Sequence, residues 1–195
     1  MQLLEERIRR EARVLPGNII KVDGFLNHRV DVGFMRELAL EFKRRFPLDG
    51  LTAVLTVEAS GIALATVCAL EFGVPMIFAK KAKSDNIEGG LYQSEIFSYT
   101  YKKKVTLLMS AQWLKSGDKV LIVDDFLANG EALRGLVDIV SQAGAQLLGI
   151  GVAVEKGFQG GGDRLRAQGV NLQSLAIIEK ADEAGIVFRT ESVGS

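Results

Sequence analysis

One cysteine, one histidine and no long apolar run bound what this 195-residue chain can be. Cys68 alone excludes a disulfide framework and is too few thiols for a typical zinc site; in the apolar stretch between Ala65 and Leu70 it reads as a core residue. His28 alone leaves a Ser-His-Asp triad nearly without support and reads as structural. Nowhere do about 18 consecutive apolar residues occur to span a bilayer, and Met1 to Arg10 mixes charges of both signs where a signal peptide carries an apolar run. The expectation is a cytoplasmic protein. An excess of one charge is lacking too, since 24 basic and 24 acidic residues cancel. No global field recruits nucleic acid or an anionic membrane, so neither is expected as a partner, and an anion site must be built from a few lysines and backbone amides.

What is present is apolar material for one substantial core, 48% of positions, in a chain short for two complete domains. Leu3, Leu4, Ile8 and Val14 recur at roughly helical spacing, predicting a helix over residues 2 to 14 that Pro16-Gly17 ends. Residues 18 to 22 read as a short strand, Asp23-Gly24 as a turn, and Asp31 as the start of a helix carrying Phe34, Leu38, Phe42 and Phe46 on one face. From Leu51 the pattern changes. Apolar β-rich runs at 51–57, 75–79, 119–123, 147–154 and 174–178 alternate with helical stretches at 61–72, 130–143 and 159–168, closed by Gly73, Gly144 and Gly169. That alternation predicts an α/β fold with a central mostly parallel sheet and helices on both faces. Lys80 to Lys104 has no sustained period, and so long a connection predicts a lid or mobile hairpin. The polar residues 190–195 are expected to be a disordered tail.

The run Val120-Leu-Ile-Val-Asp-Asp-Phe-Leu-Ala-Asn-Gly-Glu-Ala-Leu133 carries the chemistry. An apolar strand arrives at Asp124 and Asp125, at the carboxyl edge where open parallel sheets bind ligands. Ala128-Asn129-Gly130 then exposes backbone N–H groups at a helix start, where a phosphate is held by unpaired donors and the helix dipole. Two carboxylates suit the vicinal hydroxyls of a ribose, and Gly130 lets the backbone approach a phosphate. A Walker B strand would look similar but requires an upstream Gly-x-x-x-x-Gly-Lys-Ser/Thr loop, which is absent. An ordinary buried strand whose acids cap the next helix is the other reading.

This run resembles the 5-phosphoribosyl 1-diphosphate (PRPP) signature of type I phosphoribosyltransferases. It departs from the commonest form, having Asn129-Gly130-Glu131-Ala132 in place of Thr-Gly-Gly-Thr, and that variant resembles the branch acting on xanthine. Val22-Asp-Gly-Phe-Leu-Asn-His-Arg-Val-Asp31 resembles its base-covering segment, and Glu155-Lys156-Gly157-Phe158 stands where the family places a base-reading lysine. The resemblance covers about residues 1 to 189. It implies the type I phosphoribosyltransferase fold, with a hood (mainly 1–47) over a core (48–189), a homodimer, and transfer of phosphoribosyl from PRPP to N9 of xanthine with Mg²⁺. Its implied sites are Asp124 and Asp125 at the ribose; Ala128, Asn129, Gly130, Glu131 and Ala132 at the 5-phosphate; and Glu58, Ala59, Ser60, Gly61 and Lys81 at the diphosphate. Ile20, Asn27 and Lys156 would meet the base. Ser98 and Tyr99 would belong to a flexible loop that excludes water.

The residues themselves support parts of this. Ser60-Gly61 ends another apolar strand with a small polar turn, and Ser60 is expected to cap the following helix. Lys156, a cation with three donors and no acceptor, favours a 6-oxo purine over adenine. Two alternatives are another purine base as substrate, or a PRPP-sensing regulator of purine genes. The second normally carries an added DNA-binding region, for which this chain has no basic helix-turn-helix segment.

Overall fold

Leu4 and Ile8, one helical turn apart and fully buried, fix the inner face of the first helix, α1 (Gln2–Glu11). It ends three residues before the periodicity predicts, because Val14 is drawn into a hairpin: β1 (Arg13–Leu15) pairs antiparallel with β2 (Ile19–Lys21). One π-helical turn, Asp23–Asn27, buries Phe25 and Leu26. Helix α2 (Val32–Arg45) begins at Asp31, whose carboxylate accepts the Phe34 N–H at 3.0 Å as an N-cap should. The Arg7 guanidinium ties these pieces together, lying 4.7 and 4.4 Å from the Phe25 and Phe34 ring centroids and pairing with Asp31 at 2.8 Å.

The computed structural model describes residues 1–81, 90–98, 103–182 and 185–190. After α2 come β3 (Ala53–Val57), α3 (Gly61–Phe72), β4 (Met76–Ala79), the pair β5 (Leu91–Ser98) and β6 (Lys103–Ser110), then β7 (Lys119–Leu127), α4 (Glu131–Gln142), β8 (Gln146–Lys156), α5 (Gly161–Ala167), β9 (Leu172–Asp182) and β10 (Gly185–Phe188). The predicted strand runs are all present, and β7, β8 and β9 extend beyond the predicted limits. Helix α3 stops at Gly73, whose φ of +74° lets its N–H reach back to the Ala69 and Leu70 carbonyls.

The main sheet has the order β10-β9-β8-β7-β3-β4. All neighbours are parallel except the β10–β9 pair. From β3 the chain winds outward to β4, and from β7 outward through β8 to β9. The winding direction therefore reverses between β3 and β7, and a crevice opens there beyond their carboxyl ends.

Strand β7 shows the two-sided burial of a central strand. Leu121 and Val123 pack with Leu64, Leu38, Phe42, Leu4 and Ile20, while Val120 and Ile122 pack with Leu133, Leu136, Ile139 and Leu165. Helices α1 to α3 thus cover one face and α4 and α5 the other. Residues of the 1–47 segment share the first cluster with the sheet and have no separate core. The β5–β6 pair is the hairpin expected in the long connection. It lies on α4 at Gly135, where an added Cβ would come 2.7 Å from Ile96 and 2.8 Å from Leu107. Tyr99, singled out from the sequence, and most of the polar tail lie outside the described residues. Among the described residues no helix is long and apolar enough to cross a membrane.

Candidate active site

Asp125 is where the crevice is built. Continuing the Leu121 and Val123 side of β7, its carboxylate faces α3 and the hood. Oδ1 accepts the Ser60 hydroxyl at 2.8 Å, and Oδ2 accepts the Asn27 amide at 2.9 Å. Three segments widely separated in sequence, the hood, the β3–α3 turn and the end of β7, thus meet on one carboxylate. Ser60 was expected to cap α3, but its side chain makes no cap bond; the hydroxyl is turned to Asp125 instead. The first amides of α3 are left without a side-chain partner. The Glu58–Ala59 peptide bond in this turn is cis. Glu58 accepts the Lys81 N–H at 2.6 Å, so the backbone bearing that lysine lies beside the turn.

Asp124 is buried and accepts the Asp125 N–H at 2.9 Å. Gly61 is needed next to it, since an added Cβ would lie 2.5 Å from its Oδ1 and closer still to Thr56 Oγ1. That hydroxyl is buried without a partner among the described residues. Burial, reinforced by the charge on Asp125, lifts the Asp124 carboxyl well above the ordinary aspartate range.

Beyond β7, Gly130 at φ +83° turns the chain into α4, and no side chain caps the helix. The N–H groups of Glu131, Ala132 and Leu133 are therefore, among the described residues, orphan donors at the positive end of the dipole, where an anion is favoured. The Glu131 carboxylate is occupied elsewhere, accepting Phe97 N–H at 3.2 Å and Arg134 Nη2 at 3.0 Å. What Glu131 can offer an anion is its amide.

Lys156 ends β8, half-buried, with its Nζ 5.7 Å from the Phe126 ring centroid and without an ion pair among the described residues. Burial lowers its pKa from the ordinary lysine value. The neighbouring Glu155 cannot neutralise it, because that fully buried carboxylate is clamped by Arg166 at 2.6 and 3.0 Å and by the Ser174 hydroxyl. Ile20, 6% exposed, is mostly committed to the core cluster that residues 1–47 share with the sheet.

This arrangement offers an acidic floor, two helix starts without side-chain caps and a half-buried cation around one crevice. The family model of the phosphoribosyl transferase domain matches residues 38–183. The chain belongs to the phosphoribosyltransferase family. Among curated relatives it is similar to the xanthine phosphoribosyltransferase of Lachnoclostridium phytofermentans, 50% identical over 97% of this chain and 98% of that one. It is likewise similar to that of Bifidobacterium longum, 50% identical over 97% and 100%. Among solved structures, the adenine phosphoribosyltransferase of Rhodothermus marinus aligns with a TM-score of 0.74 at 20% identity, covering 91% of this chain and 100% of that one. That of Saccharomyces cerevisiae aligns with a TM-score of 0.73 at 19% identity, covering 90% and 99%. The fold is that of the type I phosphoribosyltransferases.

In this phosphoribosyltransferase, the α5 segment is what sequence reasoning missed. Its opening glycines pack where side chains would collide: a Cβ on Gly161 would strike the Ala128 to Gly130 backbone, and one on Gly162 the Glu155 carboxylate. Three consecutive glycines, Gly160 to Gly162, at the start of a helix are a signal of close approach.

The state of Asp124 gives a testable consequence. Its folded-state pKa lies above the ordinary value of 3.8, so the native state binds more protons than the unfolded state above pH 3.8. This contribution therefore makes stability fall as pH rises through that window. Asp124→Asn removes the ionisation and keeps an oxygen for the Asp125 N–H. It is expected to raise Tm at pH 7.5 and to flatten the decline from pH 4 upward. Calorimetry across that range checks this, and a Tm below wild type at pH 7.5 rejects it.

Proposed function

We propose that this phosphoribosyltransferase transfers the 5-phosphoribosyl group of PRPP to N9 of xanthine, giving xanthosine 5′-monophosphate and pyrophosphate in purine salvage. The observation that carries the reading is the meeting of Asn27, Ser60 and Asp125 between two helix starts without side-chain caps, with Lys156 at the next strand end and without an ion pair among the described residues. One site can then take a phosphate, a ribose, a diphosphate and an oxo-purine in sequence. The 50% identity to enzymes named xanthine phosphoribosyltransferase over nearly their full length supports the choice of base.

The amides at 128 to 132 anchor the 5-phosphate, Asp124 and Asp125 hold the ribose hydroxyls, and the 58–61 turn with Lys81 takes the diphosphate. The C1–O bond to diphosphate breaks with its electron pair leaving on oxygen, and the N9 lone pair forms the new bond to C1 as the N9 proton departs. The negative floor faces the positive charge that develops on C1, and the turn amides face the leaving charge. Positioning and electrostatics suffice, without a covalent nucleophile. Among the described residues no set of three or more His, Cys, Asp or Glu side chains converges. Adjacent carboxylates beside a diphosphate site nevertheless fit Mg²⁺, which takes one or two carboxylates plus substrate phosphates and keeps several waters. When bound with PRPP it neutralises diphosphate charge.

Lys156 donates to the 6-oxo group, Asn27 offers donor and acceptor to the dioxo edge, and the exposed margin of Ile20 packs on the ring. Ser98, which pairs with Lys103 at the end of the hairpin, and Tyr99 belong to the loop that closes over the reacting centre. The resemblance also implies a cytoplasmic homodimer; sedimentation at two concentrations tests the dimer, and a monomer at both rejects it. Pyrophosphate release from PRPP with xanthine, guanine, hypoxanthine and adenine tests the reaction. Xanthine is expected to give the highest kcat/KM, and adenine as the best substrate overturns the reading. In the same assay Lys156→Gln is expected to raise the KM for xanthine about tenfold or more, the worth of one hydrogen bond to a charged group. An unchanged KM removes Lys156 from the base site.

A further inference from the structure

The 5-phosphate loop poses an electrostatic problem. Phe126 to Leu133 contains no Lys or Arg and one acidic residue, yet the loop must hold a dianion. The arginines around it are mostly spoken for. Arg134 is held by Glu131 and the Glu95 carbonyl, Arg166 by Glu155 and Ser174, and Arg189 by Asp163 and Glu179. Arg164 is the exception: it is exposed and forms no ion pair among the described residues. Its Nη2 instead donates to the Asn129 carbonyl at 3.0 Å, and Nη1 lies over Gly160, 3.1 Å from where a Cβ would stand.

We propose that Arg164 is a positioning residue of the 5-phosphate site, acting through the Asn129–Gly130 peptide; this rests on the phosphoribosyl-transfer reading above. In a trans peptide the C=O and the following N–H point in opposite directions. A guanidinium that fixes the Asn129 carbonyl on the α5 side therefore turns the Gly130 N–H toward the other side, where α4 begins. A charge-assisted hydrogen bond also polarises the peptide and makes that N–H a stronger donor. The cation adds positive potential to a loop that has no basic side chain of its own. Its position is secured from below, because α5 is pinned by the Arg166–Glu155 pair and by Leu165 in the core.

The test is calorimetric binding of ribose 5-phosphate, PRPP and inorganic pyrophosphate to wild type, Arg164→Ala and Arg164→Lys, without base. Arg164→Ala is expected to weaken ribose 5-phosphate and PRPP about tenfold, as for loss of a hydrogen bond from a charged group. Pyrophosphate affinity, the KM for xanthine and Tm are expected to stay at wild-type values, and Arg164→Lys to recover part of the loss. Ribose 5-phosphate binding unchanged in Arg164→Ala overturns the proposal, as does a loss shared equally by ribose 5-phosphate and pyrophosphate. Should Arg164→Ala fail to fold, Arg164→Lys decides: it must fold and still bind ribose 5-phosphate more weakly than wild type. Wild type that binds no PRPP overturns the transfer reading itself, a distinguishable result.

Discussion

Asp125→Asn is expected to lower kcat/KM for PRPP by roughly 10²–10³-fold, the scale of removing one preorganised electrostatic partner from an active site, with Tm close to wild type. The carboxylate accepts two neighbours, Ser60 on one oxygen and Asn27 on the other. An asparagine has one oxygen and one NH₂. Its oxygen can keep the Asn27 amide, since the reverse orientation sets two NH₂ groups against each other. Its NH₂ then faces Ser60, whose hydroxyl can rotate to accept. The local bonds survive, which is why little change in Tm is expected. On the proposed reading, what is lost is the negative charge opposite C1 and one of the two acceptors available to the ribose hydroxyls. Steady-state kinetics with xanthine saturating measures the effect. A kcat/KM within threefold of wild type removes Asp125 from the ribose site. Paired with the rise in Tm expected for Asp124→Asn, the outcome separates the two carboxylates: one is costly to keep buried, the other is held by partners.

The sequence made the framework of this site legible because the framework is local. An apolar run ending in two acids and a Gly turn specifies strand, edge and helix start within fourteen residues, and glycine marks helix ends through a backbone requirement any neighbour would leave intact. The contacts that complete the site are different in kind. Asn27 and Ser60 reach Asp125 across 98 and 65 positions, and Arg164 reaches Asn129 across 35. Such pairings depend on sheet order and side-chain direction, which periodicity does not carry. Ser60 illustrates the limit. A serine before a helix reads as a cap, but a carboxylate arriving from another strand accepts its hydroxyl more strongly than a neutral neighbour would. The first helix ends three residues short of its apolar periodicity for a related reason, since Val14 fits the helical spacing and only its pairing with Ile20 withdraws it. In β5 polar Ser94 is buried while Leu91 and Phe97 are exposed, so apolarity does not follow the alternation of burial and the strand pattern is blurred.

Gly161→Ala is expected to damage catalysis through the 5-phosphate loop without touching a ligand. A Cβ at this position would lie 2.7 Å from the Asn129 carbonyl carbon and 2.8 Å from the Gly130 nitrogen, and closer still to the Ala128 oxygen. All three are backbone atoms, so no rotamer change relieves the overlap; either α5 or the loop must move. Helix α5 is anchored by the pairing of Arg166 with the buried Glu155 and by Leu165, whereas the loop is followed by a helix start without a side-chain cap. The loop is therefore what yields. A shift on the order of 1 Å at a positioning element costs about 10²-fold in rate, and overpacking of about 1–3 kcal/mol lowers Tm by several degrees. The KM for PRPP and the affinity for ribose 5-phosphate carry the effect, while pyrophosphate binding at the 58–61 turn stays near wild type. Gly33→Ala is the control, since its Cβ would meet only Asp31 Oδ1 at an ordinary 3.7 Å within α2, where alanine stabilises a helix relative to glycine by up to about 1 kcal/mol. If Gly161→Ala retains wild-type affinity for ribose 5-phosphate with a lowered Tm, α5 is the element that gives way, and the loop's geometry is held from the α4 side instead.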